Sequence, residues 1–400
     1  MEKATNDNVV AFPKTAQEYS NGRFLIPERL QEARLAARLN QTEVASLVGV
    51  SRQAISSYEM GSKSPEPTVM RTLAEVLGQP ITYFTKSQLE TFGKRSPNFF
   101  RKMGPDTKRR NQACEVYSDW FSGTAFAFEK YINYPKVDLP QFEPENSSTG
   151  EFTEDEIEHI AEEVRRYFGL GLGPISNVIR LLESRGVLVC RMQIPGEKIQ
   201  AFSFWSGNRP FIFMASDKSS AARARFDAAH ELGHLCMHRW VSPEDIDDKA
   251  RLKVIEAEAN RFAGAFLLPR KSFTNEVYTP RVEAFVDLKS RWKVAIQAMI
   301  YRCKDLGLFD ERQVTLLYKQ ISYKKWRLSE PLDGPEGLPL EHPILLKKVV
   351  DAVLSNQLMT LDELKAQLGI ADSVIEQLLG LESGYLKSST KVDINLSLKD

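Results

Sequence analysis

The sequence predicts a predominantly helical α+β chain of several domains with one small antiparallel sheet. Three observations predict it. Short apolar periods of helical spacing, stopped by glycines, recur along most of the 400 residues. Strand-like runs cluster in a single stretch, 187–214. Composition also shifts twice, to a basic tract near 86–110 and to a Pro- and Ser-containing stretch near 135–150, which divides the helical segments into groups. The chain is 42% hydrophobic and 26% charged, enough apolar residue to bury a substantial core. Its 53 basic and 53 acidic side chains cancel, so nucleic-acid binding by bulk charge is excluded and any such binding needs a local patch.

Residues 1–22 are polar and aperiodic and are expected to be a disordered lead-in. Residues 23–84 carry closely spaced helices, with Gly49, Gly61 and Gly78 as stops. Within them Gln41-Thr-Glu-Val-Ala-Ser-Leu-Val-Gly49 is a short helix ending in glycine. Val50 is expected to plug the core, and Ser51 to cap a second helix through Met60. In a pair of helices joined this way, the second enters the major groove and presents its N-terminal residues to base edges. Arg52 and Gln53 are then the base readers, because arginine suits guanine and glutamine adenine. Ser51, Ser57 and Gln41 would make phosphate or positioning contacts, and Lys63 a further phosphate contact. The charge of this segment is nearly balanced, seven basic residues against six acids. Double-stranded DNA as partner therefore draws on the tract from Lys86 to Arg110, where eight basic residues face two acids; a solvated linker is the competing reading of that tract. The spacing, with Gln41, Ala45, Gly49-Val50-Ser51, Ile55, Tyr58-Glu59 and Gly61, resembles the repressor-type XRE/Cro helix-turn-helix family. That resemblance implies a homodimer reading paired half-sites.

Residues 85–151 are expected to be a basic linker and a connecting helix over 111–131, with Pro135–Gly150 as linker. A new domain, 152–310, opens with Thr153 and Glu156 in a capping-box pattern before a helix to about Phe168. A helix over 175–185 follows, then strands at 187–192, 201–205 and 210–214; the turn at Asn208 predicts antiparallel pairing. Helices are expected at 219–238, 251–268 and 282–306. Residues 311–337 are expected to be a connector, and 338–400 a small helical domain with its clearest pieces at 344–354 and 361–368 and a tail frayed beyond Lys387.

Three of the chain's five histidines fall within nine residues: His230, His234 and His238. Positions i and i+4 share a helix face, so His230 and His234 can present imidazoles to one ion. Glu231 is offset by one residue, which sets its carboxylate beside the ion as a general base and acid. Zinc suits such a site, with three protein ligands and one open position. Met237 and Trp240 stand where a metzincin would carry Gly and His, so that class is excluded. His238 lies one turn further along and is placed in the core or behind the ligands, with direct ligation the weaker reading. The third ligand is expected from the next helix: Glu256, with Glu258 as the alternative. Asn260, one turn after Glu256, could orient a histidine from behind. No residue can be given the oxyanion role from sequence, although Tyr278, Tyr301 and Arg261 are available.

His230-Glu-Leu-Gly-His234, Glu256-x-x-Ala-Asn260-x-Phe262-Ala263 and Phe266-Leu-Leu-Pro269 together resemble the ImmA/IrrE family of zinc metallopeptidases over about 152–309. Phe266-Leu267-Leu268-Pro269 replaces the family's usual Leu-Leu-Met-Pro, a mild departure, and Lys289–Ala298 looks like its helix after the active site. The resemblance implies a zincin-like domain in which His230, His234 and Glu256 bind Zn2+ and Glu231 is catalytic. It further implies a protein substrate, a repressor or antitoxin-like partner. Two other readings fit the same architecture: a non-enzymatic XRE-family regulator that uses the zincin fold as a sensor, and a toxin–antitoxin or phage-defence component. Four separated cysteines without a CxxC pair, no apolar run near the ~20 residues of a membrane span and no signal-peptide pattern predict a cytoplasmic protein with no membrane partner.

Overall fold

The computed structural model describes residues 25–98, 107–145, 150–194, 201–216 and 220–387. The expected lead-in at 1–22, Arg101 and Lys102 of the basic tract, and the expected frayed tail lie outside them. The chain divides into two compact units, the first formed by the chain up to Gln88 together with Gly369–Ala371 and the second by the remainder from Leu89.

The first unit is all helical: α1 (Pro27–Ala36), α2 (Gln41–Val48), α3 (Arg52–Glu59), α4 (Pro67–Val76) and a 3-10 turn at Ile81–Thr85. Leu30, Ala33, Val44, Ile55, Leu73, Tyr83 and Phe84 fill its core. Asn40 and Glu43 form a capping box at the start of α2. Gly49 closes α2 at φ +77°, a conformation that glycine takes without strain. Val50, expected to plug the core, is half-buried. Glu59 ties the helices together, since Arg34 donates to both of its oxygens (2.5 and 2.9 Å) and Gln41 Nε2 to one (2.9 Å).

The second unit begins with α5 (Thr107–Phe126), α6 (Glu154–Tyr167) and α7 (Val178–Ser184). Strands β1 (Leu188–Met192), β2 (Ala201–Ser206) and β3 (Arg209–Ala215) follow. The remaining helices are α8 (Ala221–Met237), α9 (Pro243–Asp247), α10 (Lys249–Leu267), α11 (Arg270–Thr274), α12 (Ala284–Trp292), α13 (Ile296–Asp305), α14 (Glu311–Tyr323), α15 (Leu345–Ser355), α16 (Leu361–Leu368) and α17 (Asp372–Leu379). The fold class is thus the helix-dominated α+β expected. The sheet, however, is mixed rather than antiparallel. Its order is β1-β3-β2, with β2 antiparallel to β3 across the Gly207-Asn208 turn and β1 parallel to β3. The hairpin occupies one edge of β3, and β1, running in the direction of β3, takes the other. Local turn signals report only the hairpin.

The two faces of the sheet differ in chemistry because side chains alternate along a strand. Phe202 stacks on Phe213 and Phe204 on Phe211, with centroids 4.8 and 4.9 Å apart. Phe121 of α5 meets Phe211 edge-on at 5.0 Å, so the expected connecting helix starts four residues earlier than predicted and covers this face. Ala201, Trp205, Ile212 and Met214 belong to the main core on the other face, where α8 packs. Residues 135–145 are irregular, as a linker would be, yet Phe142 N donates to Cys236 O and Val137, Leu139 and Phe142 pack on the core.

The capping box at Thr153 and Glu156 forms as expected, and α6 packs along α10. One helix was expected over 282–306, but the chain breaks between α12 and α13. Lys293 adopts φ +56°, and Glu330 caps the new N-terminus by accepting from Ile296 N and Gln297 N at 2.7 and 3.2 Å. Much of the expected connector is the helix α14, with Val314, Leu317 and Ile321 buried. The C-terminal helices α15 and α17 pack on β1, and α17 lies beyond the two pieces read from sequence. Among the described residues the four cysteines are buried and form no disulfide, and no helix is long and apolar enough to cross a membrane.

Candidate metal centre and nucleic-acid interface

Helix α8 is capped by Ser220, and its residues 228–237 are all buried. Burial on every side is unusual for a helix carrying three imidazoles unless those groups have partners. α10 crosses it closely at Gly233: a Cβ there would stand 2.9 Å from Phe262 Cδ1 and 3.4 Å from Ala259 Cα. Glycine at 233 therefore permits the approach that brings Glu256 to the histidines.

His230, His234 and Glu256 offer atoms that all lie within 4.8 Å of one another. His230 Nε2 and His234 Nε2 are 3.0 Å apart, and they lie 3.4 and 3.5 Å from Glu256 Oε2 and Oε1 respectively. A tetrahedral ion with ligand bonds of about 2.0–2.1 Å needs ligand–ligand edges of roughly 3.3 Å. Both Glu256 oxygens are buried without a hydrogen-bond partner. Burial alone would raise this carboxyl's pKa, but the facing imidazoles hold it below its ordinary value. An orphaned buried carboxylate beside two imidazole nitrogens at those separations fits a divalent cation.

Glu231 is buried and turned toward the sheet, where its Oε2 accepts from Ser203 Oγ at 2.7 Å. Sequence reasoning missed Ser203. The available signal was a lone hydroxyl in Phe202-Ser203-Phe204, where alternation puts it on the face opposite the two rings.

His238 ends α8 as its C-cap and is fully buried. Its Nδ1 is 2.9 Å from His234 Nδ1 and its Nε2 is 2.9 Å from Glu258 Oε2, so it stands behind His234. Glu258, the alternative ligand, is directed to His238, and its Oε1 accepts from Phe152 N at 2.8 Å. Burial lowers the pKa of His234 and His238 to about 3 and raises that of Glu258 to about 7. Both imidazoles are neutral at pH 7. Asn260 Nδ2 donates to Glu256 O at 2.7 Å, so it steadies the turn that carries Glu256 rather than orienting a histidine.

A cavity of about 590 Å³ opens between α8, α10 and α13, lined among others by Phe226, Asp227, Ala257, Asn260, Gly264 and Tyr301. Phe226 and Asp227 precede His230 by one turn, and Ala257 adjoins Glu256. Of the oxyanion candidates, Tyr301 lines this cavity, Tyr278 is almost fully exposed, and Arg261 pairs with Glu154 at 2.7 Å.

In the first unit Ser51 caps α3, its Oγ accepting from Ala54 N at 3.1 Å. Arg52 and Gln53 are exposed on the first turn of that helix, where a groove-entering helix needs its readers. Lys63 is exposed and Ser57 half-buried. Gln41 differs from expectation in having its amide held by Glu59.

Residues 182–304 match the family model described as the IrrE N-terminal-like domain (Peptidase_M78), and residues 30–84 match a helix-turn-helix family. The chain joins a helix-turn-helix domain to an IrrE N-terminal-like domain. The IrrE-like match begins within α7 and ends in α13, so it contains the whole His230, His234 and Glu256 cluster. One similar protein is the uncharacterized HTH-type transcriptional regulator YqaE of Bacillus subtilis (strain 168), 27% identical over 64 residues. That stretch is 16% of this chain and 55% of YqaE, so the chain spans about half the length of this relative. Among solved structures, a transcriptional regulator of Mycobacterium tuberculosis is 20% identical, with a TM-score of 0.29 over 40% of this chain and 48% of that one.

Proposed function

We propose that this chain is a cytoplasmic DNA-binding regulator whose IrrE-like domain is a zinc-dependent endopeptidase, acting on a repressor or antitoxin-like protein. The observation that carries the reading is the buried Glu256 carboxylate, orphaned within 3.5 Å of two imidazole nitrogens. His230, His234 and Glu256 would hold the ion. Zinc, when bound, polarises a scissile carbonyl and brings the pKa of water to about 7. Glu231 takes a proton from the attacking water and returns it to the departing amine, and Ser203 fixes the rotamer that does so. The small residues Ala257, Gly264, Ala295 and Ala298 line the cavity, which would give a peptide room.

On the DNA side Arg52 and Gln53 would read base edges, while Ser51, Ser57 and Lys63 would position the helix on phosphates. A homodimer would match paired half-sites.

The test has two arms. Purified wild type should carry about one zinc per chain, and a His230→Ala/His234→Ala variant none, with the helix-turn-helix unit still folded. In cells, Glu231→Gln should abolish the regulatory response while zinc content and DNA binding persist. Regulation that survives Glu231→Gln would instead assign the IrrE-like domain a sensing role without proteolysis.

A further inference from the structure

We propose that His238 and Glu258 are positioning residues that set the tautomer of His234, and that Phe152 fixes their direction through its backbone N–H. The inference rests on the metal reading above and deepens it. Four residues from three parts of the chain are in line: Phe152 N to Glu258 Oε1 at 2.8 Å, Glu258 Oε2 to His238 Nε2 at 2.9 Å, and His238 Nδ1 to His234 Nδ1 at 2.9 Å. Beyond His234 the row ends at its Nε2, which faces His230 and Glu256.

Each neutral imidazole has one donor and one acceptor nitrogen, so a chain of them has a direction. With Glu258 ionised, its two oxygens accept from Phe152 N–H and from His238 Nε2–H. His238 Nδ1 is then the acceptor and takes the proton of His234 Nδ1–H. His234 Nε2 is left with its lone pair directed at the cluster, as a metal ligand must be. Reversing either bond of His238 reverses the other and puts a proton on His234 Nε2, where a cation would have to sit.

His238 and Glu258 are buried, so bulk water does not compete for these bonds. His238 also meets Phe152 edge-on with centroids 6.2 Å apart, so the residue that orients Glu258 also restrains the ring between. Glu256 and Glu258 therefore divide the work on one helix. One faces the ion and the other acts on a ligand from behind, the arrangement by which outer carboxylates orient metal-bound histidines.

Glu258→Gln separates this role from simple packing, because it preserves volume while reversing the bonds. The oxygen of the introduced amide must accept from Phe152 N–H, which leaves the amide nitrogen to donate to His238 Nε2. Nitrogen-15 NMR of the metal-free protein at about pH 9, where Glu258 is ionised, reads the tautomers directly through two-bond couplings to ring protons. The wild type should carry Nδ1–H on His234 and Nε2–H on His238, and the variant should show the opposite forms. Zinc affinity by chelator competition should fall about 10–100-fold in Glu258→Gln. His238→Phe, which keeps a ring against Phe152, should fall likewise, with metal-free thermal unfolding showing both variants folded. Unchanged zinc affinity in Glu258→Gln, or Nε2–H on wild-type His234, would overturn the proposal. A wild-type chain that takes up no zinc would refute the metal centre itself, a result distinct from either.

Discussion

Replacing Gly233 with alanine should destabilise the protein, against the usual preference of helix interiors for alanine. On an open helix face the change gains roughly 1 kcal/mol. Here the new methyl would stand 2.9 and 3.3 Å from Phe262 Cδ1 and Cγ and 3.4 Å from Ala259 Cα. Carbon atoms prefer about 3.5–4.0 Å, so something must move by a few tenths of an ångström or more. The Phe262 ring cannot swing aside, being fully buried and stacked on Phe266 with centroids 5.6 Å apart. The helices must therefore separate, at an overpacking cost of about 1–3 kcal/mol. That cost outweighs the propensity gain and leaves a net loss of about 1 kcal/mol, or a melting temperature lower by ~2–4 °C. Separation also stretches the 3.4 and 3.5 Å edges from Glu256 to the two histidines, so zinc affinity should drop on the order of tenfold. Thermal unfolding of the metal-free protein measures the first effect and chelator competition the second. A Gly233→Ala protein that melts higher than wild type and binds zinc equally well would refute the close-packing account.

The remaining predictions concern other parts of the molecule. Lys289 is fully buried between Glu330 (2.9 Å) and Asp333 (2.8 Å), so Lys289→Met should cost about 3–5 kcal/mol in denaturant unfolding by stranding two carboxylates. Burial opposes ionisation of Asp333, but hydrogen bonds from Lys289 and Ser220 hold its pKa below the ordinary aspartate value. Its contribution is therefore present above the unfolded-state pKa and is lost as pH falls through the lower folded value, and Asp333→Asn should flatten the acid limb of the unfolding curve. Zinc at a thousandfold excess over Kd should stabilise the IrrE-like unit by about 4 kcal/mol, and His230→Ala/His234→Ala should melt identically with zinc or chelator. Against a site selected from random duplexes, Arg52→Ala should cost about 1–3 kcal/mol and relax preference at one base pair. Lys63→Ala should weaken all duplexes alike and lower the salt slope by about 1.

Much of this architecture was legible because local chemistry decides it. The capping box at Thr153, the glycine stop at Gly49 and the hairpin at Gly207-Asn208 each depend on residues within a few positions of one another. The main failures in the fold are non-local. β1 could not be placed on the far edge of β3 from any turn, and the break at Lys293 depends on Glu330, which accepts from Ile296 N thirty-four residues away. The helix over 107–126 looked like a connector because its aromatic residues find their partners, Phe211 and Phe213, some ninety residues later.

The choice between Glu256 and Glu258 shows where sequence periodicity helps and where it stops. Two residues apart on a helix, they point about 200° from each other. The buried row Leu252, Ile255, Ala259, Phe262, Phe266 lies between those directions, so both carboxylates flank the face that meets α8. Periodicity could therefore admit both to the neighbourhood of the histidines without ranking them. What separates them is the partner each meets. Glu258 is met by a backbone N–H from Phe152 and by His238, which satisfy it, whereas Glu256 is met by two imidazole nitrogens and no hydrogen-bond partner. A buried carboxylate that the protein has satisfied serves the scaffold or another side chain. One that it has buried and left unsatisfied needs a cation or a proton to complete it. That asymmetry, rather than the spacing of the histidine motif, is what favours Glu256 over Glu258 as ligand in the proposed function.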